Sequence, residues 1–148
     1  MNRELYQQTI LRHNRNPQNY GELEPCSHFA EGFNPLCGDE IKVYIQLDDA
    51  EIISDLTFTG KGCAISQASA SIMTESLKGK ALQEALEFYD QFHDMAIGKL
   101  EEGDVQALGE AGVLSGISQY PARVKCAVLS WHTFKAAAEG QQDKISTE

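Results

Sequence analysis

Strand-like and helix-like spacings of apolar residues follow one another in a definite order along this 148-residue chain, and that order limits the folds open to it. Apolar and polar side chains alternate from Ile41 to Leu47, and such alternation is typical of a strand with one buried face. After a turn at Asp48, a second stretch places four residues on one face: Ile52, Ser54, Leu56 and Phe58. An edge strand before both is indicated by Phe29, Glu31 and Phe33. We therefore predict an antiparallel three-stranded meander.

The period becomes helical after Gly62 and stays so through most of the remaining chain. One helix ends at Gly79, a second runs from Leu82 to about 95, and residues 98–119 read as short helical pieces broken by glycines. A leading helix spans 3–14, and a closing helix begins at Pro121 and ends in the polar tail GQQDKISTE. Strands followed by helices predict a single α+β domain over 1–148, a small antiparallel three-stranded sheet covered on one face by helices.

Charge and hydropathy exclude several classes of function. Lys and Arg total 12 against 22 Asp and Glu, a net charge of −10 without a basic cluster, so nucleic acid and anionic membranes are not expected partners. The chain has no run of the roughly 18 apolar residues that a membrane span needs, and it shows no signal peptide. We expect a cytoplasmic protein, whose four cysteines are free or metal-bound rather than paired in disulfides.

Three of the cysteines fall at predicted element ends. Cys37 precedes the second strand, Cys63 lies where the third strand gives way to a helix, and Cys126 lies in the first turns of the last helix. Antiparallel pairing can bring Cys37, Asp39 and Cys63 together, and docking of the last helix can add Cys126. Three thiolates and one carboxylate suit tetrahedral zinc. The alternative from spacing alone is that these cysteines are small buried hydrophobes.

Three segments resemble one known family when they are taken in order. NPLCGDEIKVYIQL, FTGKGCAISQASASIMTESLKGK and RVKCAVLSW are similar to motifs of the U-type iron–sulfur cluster assembly proteins, the family of IscU, SufU and the NifU N-terminal domain. The resemblance implies a SufE/NifU-like α+β fold and a metal site formed by Cys37, Asp39, Cys63 and Cys126. It also implies a cysteine desulfurase, SufS-like in this branch, as sulfur donor, and downstream cluster-assembly proteins as later partners.

Two departures from the scaffold branch favour the SufU branch. Lys125 stands directly before Cys126 where scaffolds have histidine, and YPAR replaces their chaperone-docking Leu-Pro-Pro-Val-Lys stretch. Residues 98–119 resemble the SufU insertion. We therefore expect Zn²⁺ and a sulfurtransferase-type relay; the alternatives are a scaffold holding iron or a [2Fe–2S] cluster on the same residues, and zinc that only staples an adaptor fold.

The four candidate ligands are not expected to be held equally firmly. Cys37 lies in a Pro-Leu-Cys-Gly turn whose backbone can change at low cost, which makes it the predicted catalytic acceptor of sulfur. Arg123 and Lys125 are candidate supporting residues that could attract an anionic persulfide or a partner carboxylate, or else two solvated charges. Cys26 is predicted to be a loop thiol without a role in the site, and the four histidines match no spacing typical of metal ligands.

Overall fold

The computed structural model describes residues 3–140 and 145–146, and it confirms the predicted α+β class. The elements follow in this order: α1 (Arg3–Arg15), β1 (His28–Asn34), β2 (Asp39–Leu47), β3 (Ile53–Lys61), α2 (Ala64–Leu77), α3 (Leu82–Ala96), α4 (Glu102–Gln106), a 3₁₀ helix (Gly109–Gln119), α5 (Pro121–Ala138) and β4 (Ile145–Ser146). The helix ends predicted at Gly79 and Pro121 are confirmed: Gly79 has φ +89° just after α2, and Pro121 opens α5.

The sheet has the strand order β3-β2-β1-β4. Both predicted antiparallel pairings, β1 with β2 and β2 with β3, are present. No pattern in the sequence predicts β4, because Ile145 and Ser146 lie in the polar tail. They pair in parallel with Gly32 and Phe33 of β1. Where this pairing occurs β1 is therefore an inner strand, and its prediction as an edge strand was wrong there. The rest of the tail, 141–144 and 147–148, lies outside the described residues.

The residues of β1 that face the core are not the phenylalanines from which the strand was predicted. Ala30, Gly32 and Asn34 face the core, whereas Phe29 lies on the outer face beside Tyr44. The reason is the closeness of α5 to β1. A Cβ on Gly32 would overlap the side chain of Thr133 in α5, so only glycine fits at this position.

The alternation in β3 is broken by a bulge. Gln46 pairs with Asp55 but Leu47 pairs with Ile53, which leaves Ser54 without a partner residue on β2. Ile53, Leu56 and Phe58 are buried as a result, while Ser54 is exposed and its hydroxyl donates to the carbonyl of Gln46. The predicted stripe was right for Leu56 and Phe58 and wrong for Ile52 and Ser54.

Helices α2 and α5 pack together on the inner face of the sheet, and α3 and the 3₁₀ helix pack on their outer side. Trp131 of α5 is fully buried and stacks on Phe92 of α3 with 3.9 Å between ring centroids. Among the described residues, no helix has the length and apolarity needed to cross a membrane.

A buried polar contact fixes α1 to this helical layer. His13 is 2% exposed; its Nδ1 lies 2.6 Å from the Ser71 hydroxyl of α2, and its Nε2 contacts the carboxylate of Glu110 in the 3₁₀ helix. Arg12 pairs with the same carboxylate. The glycine-broken segment predicted at 98–119 thus reaches back to the first helix.

Candidate metal centre

Cys37 lies in the turn that joins β1 to β2. The last pair of this hairpin is Asn34 with Asp39, so residues 35–38 form the turn. Gly38 has φ +71°, a conformation that favours glycine, and a Cβ there would meet no atom within 4 Å. Cys37 is exposed, and so is its neighbour Leu36. The thiol therefore sits on a solvent-facing turn with few packing contacts.

Asp39 is the first residue of β2 and is fully buried. Pairing of Glu40 with Lys61 brings the start of β2 beside the end of β3, as the meander predicted. The Asp39 carboxylate accepts the backbone N–H of Cys63 at 2.7 Å, and its other oxygen lies 3.9 Å from the Cys63 Sγ. Gly62 makes this approach feasible, since a Cβ there would overlap the carboxylate.

Cys63 is the N-cap residue of α2. Its backbone is extended, with φ −69° and ψ 166°, and its Sγ accepts the backbone N–H of Ser66 at 3.4 Å. The exposed N–H groups and the dipole at a helix N-terminus stabilise a thiolate. Cys63 is half-buried and is therefore held by the helix start while remaining partly accessible.

Cys126 lies in the second turn of α5 and is only 4% exposed. Its Sγ is 3.4 Å from the Cys37 Sγ and 3.6 Å from the amide nitrogen of Asn34. Burial raises the pKa of the Cys126 thiol, and the neighbouring thiols of Cys37 and Cys63 raise it further. A divalent cation reverses this trend, because a coordinated thiol is deprotonated.

Three of the four predicted donors are close enough to share one zinc ion. The two sulfurs of Cys37 and Cys126 and an oxygen of Asp39 all lie within 4.8 Å of one another, whereas the Cys63 sulfur does not belong to this group of described residues and approaches it through Asp39. Ligands at about 2.3 Å from a tetrahedral zinc are separated by about 3.8 Å, close to the 3.4 Å between Cys37 and Cys126 and the 3.9 Å between Cys63 and Asp39. Three soft sulfurs with one oxygen favour zinc or an iron–sulfur cluster over magnesium or calcium.

A groove of about 590 Å³ lies where α1 meets the starts of α2 and α5; no cysteine lines it, but Ile65 and Arg123 do, two residues after Cys63 and three before Cys126. Tyr6 and Leu11 of α1, Ile65 of α2, and Tyr120 and Arg123 at the start of α5 are among its lining residues. The charges of the site reach Tyr6. Burial raises the pKa of its phenol, Arg123 lowers that pKa, and the thiols of Cys63 and Cys126 raise it further. Its hydroxyl has no hydrogen-bond partner among the described residues.

The other residues singled out in the sequence fall into two groups. Arg123 is exposed, with its guanidinium 4.6 Å from the centroid of the Tyr120 ring, and Lys125 is half-buried. Neither forms an ion pair within the part of the chain that the structure describes. Cys26 is half-buried in the loop before β1 and belongs to no metal-ligating group of described residues.

Asn34 is the residue of the site that the sequence reasoning missed. It is fully buried at the end of β1, and its amide donates to Asp39 at 3.1 Å as well as facing Cys126. The available signal was its place on the same strand face as Ala30 and Gly32, where a polar residue needs a polar partner. The strand was predicted from Phe29, Glu31 and Phe33, which alternate on its other face, so Asn34 was not considered.

Comparison with known proteins agrees with the fold and the motifs. Residues 5–127 match the family described as NifU-like N terminal domain. The zinc-dependent sulfurtransferase SufU of Bacillus subtilis is 46% identical over 127 residues, 86% of this chain and 84% of that protein. The iron–sulfur cluster assembly scaffold protein IscU of Streptococcus pyogenes is 38% identical over 133 residues, 90% and 82% of the two chains.

A solved structure extends the likeness to three dimensions. The crystal structure of a protein from Fervidobacterium islandicum, named as a proposed iron–sulfur cluster assembly scaffold for the SUF system, superposes with a TM-score of 0.82 at 36% identity. The match covers 93% of this chain and 99% of that one. The chain therefore belongs to the NifU-like N-terminal domain family, the family of the SufU and IscU proteins.

Proposed function

We propose that this protein is a zinc-dependent sulfur acceptor in iron–sulfur cluster assembly, with Cys37, Asp39, Cys63 and Cys126 as the metal ligands. The observation that supports a relay most is the unequal anchoring of the thiols. Cys63 and Cys126 are fixed in helix starts, whereas Cys37 is exposed on a turn next to a glycine with positive φ. One ligand can leave while the others stay.

Cys37 performs the transfer step. Its thiolate attacks the outer sulfur of a persulfide carried by a cysteine desulfurase; a new S–S bond forms at Cys37, and the S–S bond of the donor breaks. The electron pair leaves on the donor cysteine as a thiolate, so one persulfide replaces another without net oxidation or reduction. When bound, zinc supplies the charge that keeps the ligand thiols ionised, and it has no redox chemistry of its own.

The groove between α1 and the start of α5 gives the partner a place to dock. The chain has a net charge of −10, but Arg3 and Arg123 line this groove together with the exposed side chains of Leu11 and Tyr120. Arginine at such an edge can bind a carboxylate in two-point fashion, and Tyr and Arg are frequent anchors of interfaces. We assign the groove to the desulfurase, with Arg123 and Lys125 assisting the approach of the anionic persulfide.

A scaffold function is the second candidate, and a specific observation supports it. The same four donors suit a [2Fe–2S] cluster, and a relative 38% identical to this chain is named a scaffold protein. Lys125 before Cys126, in place of the histidine expected in that branch, favours the relay. A cluster that forms anaerobically with iron and sulfide, and then passes to an apo-protein, would support the scaffold instead.

Metal analysis combined with a desulfurase assay tests the proposal. We expect about one zinc per chain after purification without added metal, and a desulfurase turnover that rises several-fold when the protein and a thiol reductant are present. Cys37→Ser will abolish the acceleration with little change in the fold, whereas Cys26→Ser, the matched control, will leave it intact. Zinc without any rate effect would mean a structural staple, and equal activity of Cys37→Ser would remove Cys37 as the acceptor.

A further inference from the structure

Asn34 bridges two of the proposed ligands from inside the protein. It is the last residue of β1 and is fully buried. Its Nδ2 lies 3.1 Å from an Asp39 oxygen and 3.6 Å from the Cys126 sulfur, distances that allow a hydrogen bond to each. These ligands belong to different elements, β2 and α5, so a single amide joins the sheet side of the site to its helix side.

The orientation of this amide is determined by its neighbours. Rotating it by half a turn would place Oδ1 against a carboxylate and a sulfur, both of which are acceptors. The Oδ1 atom instead remains buried without a hydrogen-bond partner among the described residues. An unsatisfied buried acceptor destabilises the folded protein. The fold tolerates that loss, which indicates that the two contacts of the NH₂ group have a role.

The N–H donors are distributed unequally over the three thiols. Cys126 faces the Asn34 amide, and Cys63 accepts the backbone N–H of Ser66. Within the described part of the chain, Cys37 has no N–H donor and contacts only the sulfur of Cys126. A hydrogen bond to a coordinated thiolate draws electron density away from the sulfur and weakens it as a nucleophile, while the donor fixes its position.

We propose that Asn34 is a positioning residue that keeps Cys126 and Asp39 as permanent ligands and thereby directs sulfur transfer to Cys37. This inference rests on the proposed zinc site. Asn34 does not touch the incoming persulfide; it makes Cys126 the less reactive of two sulfurs that are only 3.4 Å apart. Burial already limits the access of an electrophile to Cys126, and the amide lowers the reactivity of this sulfur further.

The test replaces Asn34 by a side chain of similar size that has no donor. Asn34→Leu in the zinc-loaded protein will lower zinc affinity by about 10–100-fold in competition with a chromophoric chelator. In the same protein, iodoacetamide labelling mapped by mass spectrometry will lose its preference for Cys37 over Cys126, by about 10-fold on the scale expected for an outer-shell partner. Cobalt-substituted protein will show a shifted thiolate charge-transfer band.

Thr74→Val is the matched control, because Thr74 is also fully buried and its hydroxyl donates to the carbonyl of Ser71. It should lose a buried hydrogen bond without changing zinc affinity or labelling. Asn34→Ala, which also removes the donor and adds no charge, serves in the same assays if Asn34→Leu does not fold. Wild-type affinity and labelling in the Asn34 variant, or equal losses in Thr74→Val, would overturn the inference.

None of these readouts needs the desulfurase. A wild-type protein that binds zinc but does not accelerate the desulfurase would refute the proposed relay alone. An Asn34 variant with unchanged zinc binding and labelling, in a protein whose wild type accelerates the desulfurase, would refute the positioning role alone.

Discussion

Gly62 offers the most direct test of how the fold arranges the proposed metal ligands. A Cβ at this position would overlap the carboxylate of Asp39 and lie 2.9 Å from its Cγ. Asp39 cannot retreat, because it is fully buried at the start of a paired strand. Gly62→Ala should therefore break the 2.7 Å hydrogen bond from the Cys63 N–H to Asp39. The loss of a charge-assisted hydrogen bond costs about 1.5–3 kcal/mol of stability.

The metal affinity should fall as well. Removing a hydrogen bond that orients a ligand costs about 10–100-fold in affinity, equivalent to about 1.4–2.7 kcal/mol. Chelator competition measures the affinity, and urea unfolding of the metal-free protein measures the stability separately. Gly103→Ala is the control, since a Cβ there meets no atom within 4 Å. Wild-type zinc affinity in a folded Gly62→Ala protein would refute the claim that the missing side chain makes room for Asp39.

Three further predictions concern stability rather than the metal. Burial lowers the pKa of His132 to about 4. Between pH about 6.5 and 4 the unfolded state therefore binds a proton that the folded state does not, and the free energy of unfolding should fall as the pH falls through that range. Urea titrations should show a smaller fall in His132→Gln. Burial raises the pKa of Glu110, but the hydrogen bonds and charges of His13 and Arg12 together outweigh it, and the net pKa is lowered. Glu110→Gln should therefore cost about 1 kcal/mol at pH 7, a difference that should vanish as acid protonates the wild-type carboxyl. Gly32→Ala should lower stability by about 1–3 kcal/mol through its overlap with Thr133, and Thr133→Ala in the same chain should restore part of the loss in thermal unfolding.

The candidate site could be predicted from the sequence because its residues lie at the ends of strands and helices. Strand pairing alone places Asp39 near Cys63, since the register Glu40 with Lys61 follows from a short meander connection. A proline at the first position of the last helix fixed where Cys126 would fall in its early turns. Both inferences depend on local features that are visible in the sequence: the short turn between two strands and the proline at the start of a helix.

The face of β1 could not be predicted in the same way. Phe29 and Phe33 are larger and more apolar than Ala30 and Gly32, so local hydrophobicity assigns the core to the wrong side. The deciding factor is the close approach of α5, which is far away in sequence. At the start of β3, Ile52 and Ile53 are adjacent and equally apolar, so alternation alone does not say which of them faces the core. The bulge at Ser54 turns Ile53 toward the core.

The core face of β1 and the buried place of Asn34 have one physical cause, and it bears on the proposed function. A helix close enough to exclude a side chain at Gly32 also brings Cys126 within reach of the strand end at Asn34. Small residues on β1 therefore set the distance between α5 and the hairpin, and the hairpin turn presents Cys37 to the Cys126 sulfur. If Cys37 leaves to accept sulfur, Asp39, Cys63 and Cys126 remain anchored by a strand and two helix starts. A relay requires a movable ligand on a fixed frame, and the close packing of α5 on β1 supplies the frame.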